Sequence, residues 1–181
     1  MSLLNNLFKC FLFWSLISCN HPESEELKEA HKTLQTSSQT DKEKISETDQ
    51  FNVIGVKDGD TIDLLIDGKK QTVRLAHIDA PEKNQPFGTK AKQFLSDLCF
   101  GNNVRLVHNN KYDRNKRLIA EIITLDGINI NKELVKNGLA WHFKKYSKDE
   151  TYSSLEINAR NMKLGLWADT NPIAPWDWRK K

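Results

Sequence analysis

Apolar positions change their period along this chain, and the changes divide it into elements. Phe51 to Val56, Thr61 to Ile66 and Lys70 to Ile78 are short runs rich in Val, Ile and Leu, the composition of β-strands, and Asp67-Gly68 between the last two is a tight-hairpin signal. Ala91, Phe94, Leu95, Leu98 and Cys99 then recur at steps of three and four, marking one face of a helix that Gly101 ends. Val104 to His108 and Leu118 to Leu125 read as two further strands. Asn129 can cap a short helix through Ile130, Leu134 and Val135 that stops at Gly138, and Leu155, Ala159 and Met162 mark a last helix closed by Gly165. Five strands with interleaved helices and no internal repeat predict an α+β domain, a five-stranded OB-fold β-barrel with packed helices.

The first fifty residues have a different character. Residues 1–19 carry one basic residue, Lys9, then an apolar run from Cys10 ending in Ser18 and Cys19, too short to cross a bilayer, which takes about 20 apolar residues. The segment matches a secretory signal. Its end, Leu16-Ile17-Ser18-Cys19, resembles the lipobox of bacterial lipoproteins, which predicts cleavage before Cys19, a lipid on Cys19 and attachment to a membrane; an ordinary signal peptide with secretion, or an uncleaved anchor, is the alternative. Residues 20–50 contain no Phe, Tyr or Trp and are rich in Glu, Lys, Ser and Thr, the composition of a polar tether that buries too little to offset ordering. The domain is thus assigned to residues 51–181.

Splitting the chain this way changes the charge. The whole chain is +3, but the tether carries 4 Lys against 8 acidic residues and the domain 22 Lys and Arg against 16, a surplus of +6. A modestly basic domain suits an anionic ligand, and equally a plain solvated surface. Cys99 is the domain's only cysteine, which excludes a disulfide framework and a cysteine zinc site there and leaves Cys99 as core filling.

Candidate chemistry lies in two acidic loops. Asp58-Gly59-Asp60 alone is turn chemistry, and Asp79-Ala80-Pro81-Glu82 alone is a strand end that Pro81 stops. Together they offer carboxylates from two loops plus a backbone carbonyl, a donor set for a hard cation such as calcium with positions left for water and phosphate. Arg74 lies within an apolar strand, where a charge must find a partner or ligand, and Arg117 follows the charged loop Lys111 to Lys116. Guanidinium forks bind phosphate oxygens bidentately, so a cation and two arginines suit attack by water on a phosphodiester, with Glu82 the candidate base.

These residues carry a specific resemblance. Asp58-Gly59-Asp60-Thr61, Arg74-Leu75 leading to Ile78-Asp79-Ala80-Pro81-Glu82, Asp113 to Arg117, Asn131 to Ala140 and Gly165-Leu166-Trp167 occur in the order seen in the staphylococcal nuclease family, which the chain resembles over about Phe51 to Trp178. The resemblance implies an OB-fold barrel and calcium-dependent hydrolysis of DNA and RNA at the 5′ P–O bond, leaving 3′-phosphate ends. It makes Asp60, Asp79 and the Ala80 carbonyl the calcium ligands, where members often have Thr in place of Ala80. It makes Glu82 the base and Arg74 and Arg117 the phosphate clamp. Where the family's prototype has an aromatic and a glycine just before the second arginine, this chain has Asn115 and Lys116.

Arg114, Lys116 and Tyr146 are candidate substrate contacts, Tyr146 as a stacking surface for bases of single-stranded nucleic acid. Trp141 and Phe143 are assigned to packing, His77 and His108 to strands without catalytic work, and Trp167, Trp176 and Trp178 to pinning the tail. No protein partner is predicted and the expected state is a monomer. The rival is a non-catalytic OB-type module binding nucleic acid or protein; retention of Asp60, Arg74, Asp79, Glu82 and Arg117 together favours the enzyme.

Overall fold

The computed structural model describes residues 50–181. The expected signal segment, Cys19 and all of the expected tether but its last residue lie outside the described residues. That last residue, Gln50, already belongs to the first strand.

Five strands close a barrel in the order β1-β2-β3-β6-β5, from β1 (Gln50–Asp58), β2 (Thr61–Ile66), β3 (Lys69–Leu75), β5 (Asn103–Val107) and β6 (Leu118–Thr124). Pairing is antiparallel except between β3 and β6, and β5 returns to pair with β1. The expected hairpin forms between β2 and β3, with Asp67 and Gly68 at φ 48° and 71°, the two positive values that a type I′ turn requires. Alternate residues Ile62, Leu64, Val73, Leu75 and Ile122 fill the interior.

Helix α1 (Gly88–Cys99) buries Ala91, Leu95 and Cys99 against this core. The Cys99 thiol donates to the Leu95 carbonyl, and burial pushes it up to about 12, an inert core group. Helix α2 (Ile130–Lys136) is capped by Asn129, whose side-chain oxygen accepts the Lys132 N–H at 3.1 Å. Helix α3 (Glu150–Asn161) buries Tyr152, Glu156 and Ala159, whereas Met162, expected on its inner face, is the cap residue and 69% exposed. Glu156 takes a buried place because Arg160 and Lys144 compensate its charge. A 3₁₀ turn (Gly165–Ala168) and a short helix α4 (Pro175–Trp178) end the chain.

The strand expected over Lys70 to Ile78 breaks in two; the spacing of five between Arg74 and Asp79 requires a bend between Ala76 and Asp79 if both are to serve one site. After β3 the backbone turns at Ala76-His77, with His77 at φ 67°, and resumes as β4 (Ile78–Asp79), which pairs with β7 (Trp141–His142) in a separate two-stranded sheet. His77 is therefore a turn residue, and His108 lies just past β5. Buried Asn131 holds the break: its amide donates to the carbonyls of Ala76 and Ala120, and its oxygen accepts the Ile122 N–H at 3.0 Å. Trp141 packs edge-on to Trp167 and Trp176, and Phe143 stacks on Trp176 at 5.3 Å, so the packing roles of Trp141 and Phe143 hold and the tail is pinned through Trp167 and Trp176.

Replacing Asn131 with Ala removes the side-chain partner of the buried Ile122 N–H and of the half-buried Ala76 carbonyl, so urea denaturation should show a loss of about 2–4 kcal/mol. A loss below about 0.5 kcal/mol, the range of ordinary surface changes, would contradict this role.

Candidate active site

The break after β3 and the turn after β1 meet at one end of the barrel. Gly59 allows the approach: a Cβ there would stand 2.8 Å from the Cβ atoms of both Ala80 and Ala91. The Asp60 carbonyl accepts the Leu75 N–H (2.9 Å), and Asp60 Oδ2 accepts the Ala80 N–H (2.7 Å), tying the two acidic loops together.

Arg74 bridges them. Val73 and Leu75 point into the barrel, so alternation turns Arg74 outward, where Nη2 reaches Asp79 Oδ1 at 2.8 Å and Asp60 Oδ2 at 3.1 Å while Nη1 donates to the Leu75 carbonyl. Alternation alone would put Arg74 and Asp79 on opposite faces; the left-handed His77 resets it. Asp60 and Asp79 are both buried. Burial pushes the Asp60 carboxyl up to about 7, opposed by Arg74 and the Ala80 N–H and reinforced by Asp58 and Asp79.

Arg117 is held from the opposite wall. Its Nε and Nη2 both lie 2.7 Å from Asp113 Oδ2, and Nη1 donates to the Thr61 hydroxyl at 3.2 Å. Asp113 Oδ1 accepts the backbone N–H groups of Asn115 and Arg117. Burial alone would raise the Asp113 carboxyl, but the hydrogen bonds from Arg117 and its charge outweigh it and hold Asp113 below the ordinary carboxylate range. Sequence reasoning gave Asp113 no separate role; its spacing of four from Arg117 was the available signal.

A cleft of 1590 Å³ brings together Asp60, Arg74, Asp79, Ala80, Glu82 and Arg117. Arg114 and Tyr146 also line it, Tyr146 being 70% exposed. Lys116 does not: it sits at the tip of a turn closed by its N–H on the Asp113 carbonyl, at φ 59°, and stays in solvent. Among the described residues no three acidic, histidine or cysteine side chains converge into a closed metal cage. The pair Asp60 and Asp79 fits a hard cation in an open form, with a backbone carbonyl and water completing the shell.

One residue at the site was not anticipated. Arg179, at the end of α4, places Nη1 2.6 Å from Glu82 Oε1 and Nη2 2.7 Å from Asp79 Oδ2. These contacts span about a hundred positions, and the only local hint is a cation directly after two tryptophans able to anchor it. Side-chain hydrogen bonds to Asp79 and Glu82 hold Arg179 firmly protonated.

The sequence matches the family described as "Staphylococcal nuclease homologue" over residues 72–169. It is 47% identical over 136 residues to an "Uncharacterized endonuclease" of Haemophilus influenzae, covering 75% of each chain. The chain belongs to the staphylococcal nuclease homologue family. A "Micrococcal nuclease" of Shigella flexneri is 39% identical over 137 residues, covering 71% of this chain and 79% of that one. The region matched to the nuclease family includes Arg74, Asp79, Glu82 and Arg117 and leaves out Asp60 and Arg179. Lys116, standing where the family prototype has glycine, keeps the left-handed backbone that glycine would adopt without strain.

The raised Asp60 carboxyl sets a sign for stability without metal. A carboxyl raised from 3.8 to about 7 on folding binds its proton more tightly in the folded state, so its contribution is full below pH 4 and lost as pH rises to 7. In chelator, urea stability should fall over that window in the wild type and fall less in Asp60→Asn. Parallel curves would contradict the assignment.

Proposed function

We propose that the protein is a calcium-dependent phosphodiesterase that hydrolyses DNA and RNA, with single strands preferred, cutting the 5′ P–O bond to leave 3′-phosphate ends. The observation that carries this is the convergence in one cleft of two buried carboxylates, a half-exposed third and two tethered guanidiniums. Family membership and relatives named as nucleases support it.

Asp60, Asp79 and the Ala80 carbonyl would hold the calcium, which when bound supplies positive charge for the non-bridging phosphate oxygens. Arg74 and Arg117 are fixed by their own partners, so they meet a phosphate without being ordered first. As phosphorus becomes five-coordinate, both guanidiniums bear on the added negative charge. Glu82 lies on the loop after Pro81 with its carboxylate partly open to solvent, and it would take a proton from the attacking water. Tyr146 and Arg114 on the cleft wall would meet a base and a neighbouring phosphate, which suits an unpaired strand. Export and a lipid on Cys19 belong to the same proposal, supported by Leu16-Ile17-Ser18-Cys19.

The test incubates the purified protein with single-stranded DNA and with RNA, in calcium or in excess chelator. Cleavage should require calcium and be lost in Asp60→Ala. Glu82→Gln should keep substrate affinity and slow turnover at least about a hundredfold, the scale of general-base catalysis. Tight binding without cleavage in any divalent metal would make the domain a binding module instead.

A further inference from the structure

Glu82 and Asp79 do not stand free in the cleft. Asp79 Oδ1 is held by Arg74, and Asp79 Oδ2 and Glu82 Oε1 are held by the two nitrogens of a single guanidinium, that of Arg179. The Arg179 side chain is 45% exposed while the Asp79 carboxylate it covers is 2% exposed, so Arg179 closes Asp79 from the solvent side. Arg74 and Arg179 are the two positive charges in contact with the carboxyl groups of Asp60, Asp79 and Glu82. A divalent cation arriving at Asp79 therefore meets an oxygen already paired with a cation.

The carrier of Arg179 suits a removable contact. Helix α4 has four residues, too few to be stable alone, and is fastened by Trp176 against Phe143 and Trp141. Arg179 follows the helix as its cap residue, so its side chain can leave the carboxylates while Trp176 keeps the helix seated. Neighbouring Lys180 also lines the cleft but is paired with Asp177 on its own helix.

We propose that Arg179 is a tethered cation competing with the metal for Asp79 while it pairs with Glu82, so that calcium binding requires its guanidinium to leave and Arg179 sets the calcium affinity of the site. This rests on the calcium reading above. Coupling is reciprocal: if Arg179 weakens calcium binding, calcium must loosen Arg179 by the same factor.

The test is calcium titration by calorimetry of the full chain as wild type, Arg179→Gln, Arg179→Lys, Lys180→Gln and Asp60→Ala. Arg179→Gln should bind calcium about tenfold tighter, a factor typical of coupled sites. Arg179→Lys, which keeps the charge but loses the fork that spans two carboxylates, should fall between it and the wild type. Lys180→Gln should change affinity less than twofold, separating a contact from a general loss of positive charge. In the unsubstituted protein, nitrogen NMR of the Arg179 guanidinium should show restrained rotation without calcium and free rotation with it, a readout that needs no variant to fold. Equal or weaker binding by Arg179→Gln, a Lys180→Gln effect of the same size, or a guanidinium unmoved by calcium overturns the proposal. Absence of calcium binding in every form would overturn the calcium reading as well, whereas binding by the wild type with no gain in Arg179→Gln removes only the competition.

Discussion

Much of this molecule is arranged around the cost of holding the carboxyl groups of Asp60 and Asp79 out of water. An isolated buried carboxylate is unfavourable by several kcal/mol, on the order of what a domain's whole net stability amounts to. The Ala80 N–H and Arg74 offset part of that cost at Asp60, and Arg74 and Arg179 offset it at Asp79. Those contacts need the β1–β2 turn, the end of β3 and β4 to lie together, which accounts for Gly59 at the crossing and Asn131 behind the turn. The raised Asp60 carboxyl shows that the compensation is incomplete. A region kept short of positive charge is a natural place for a cation.

The rest of the cleft complements that deficit. Arg117 is locked by Asp113 and Thr61 on the facing wall, which fixes its orientation. Beyond it, Tyr146 stands exposed against the edge of Phe143 with Lys145 over its ring, an aromatic face beside cations. Phe143 in turn stacks on Trp176, so the same aromatic stack that supports Tyr146 anchors the helix carrying Arg179. Site and tail are joined through that stack.

Local signals in the sequence were read well, and long-range ones were not. The hairpin at Asp67-Gly68, the cap at Asn129 and the helix face Ala91, Leu95 and Cys99 depend on neighbours within a few residues, and each took the form expected. The charged set from Asp60 to Arg117 could be singled out by residue type, and the structure gathers it in one cleft. The break at Ala76-His77 was required by the mismatch between Arg74 and Asp79, yet its place depends on Asn131 and Ala120, far along the chain. Lys116 stands outside the cleft lining, because charge says nothing about which way a turn tip points. Arg179 was missed because a terminal arginine looks like a solvated charge until its two carboxylates are seen beside it.

The claim that the buried carboxylates form a cation site is tested most directly by urea unfolding of the wild-type protein at pH 8, in chelator and in saturating calcium. At a hundred times the dissociation constant, binding to the folded state alone should add about 2.7 kcal/mol of stability. An unfolding midpoint that calcium leaves unchanged, at concentrations up to tens of millimolar, would contradict it.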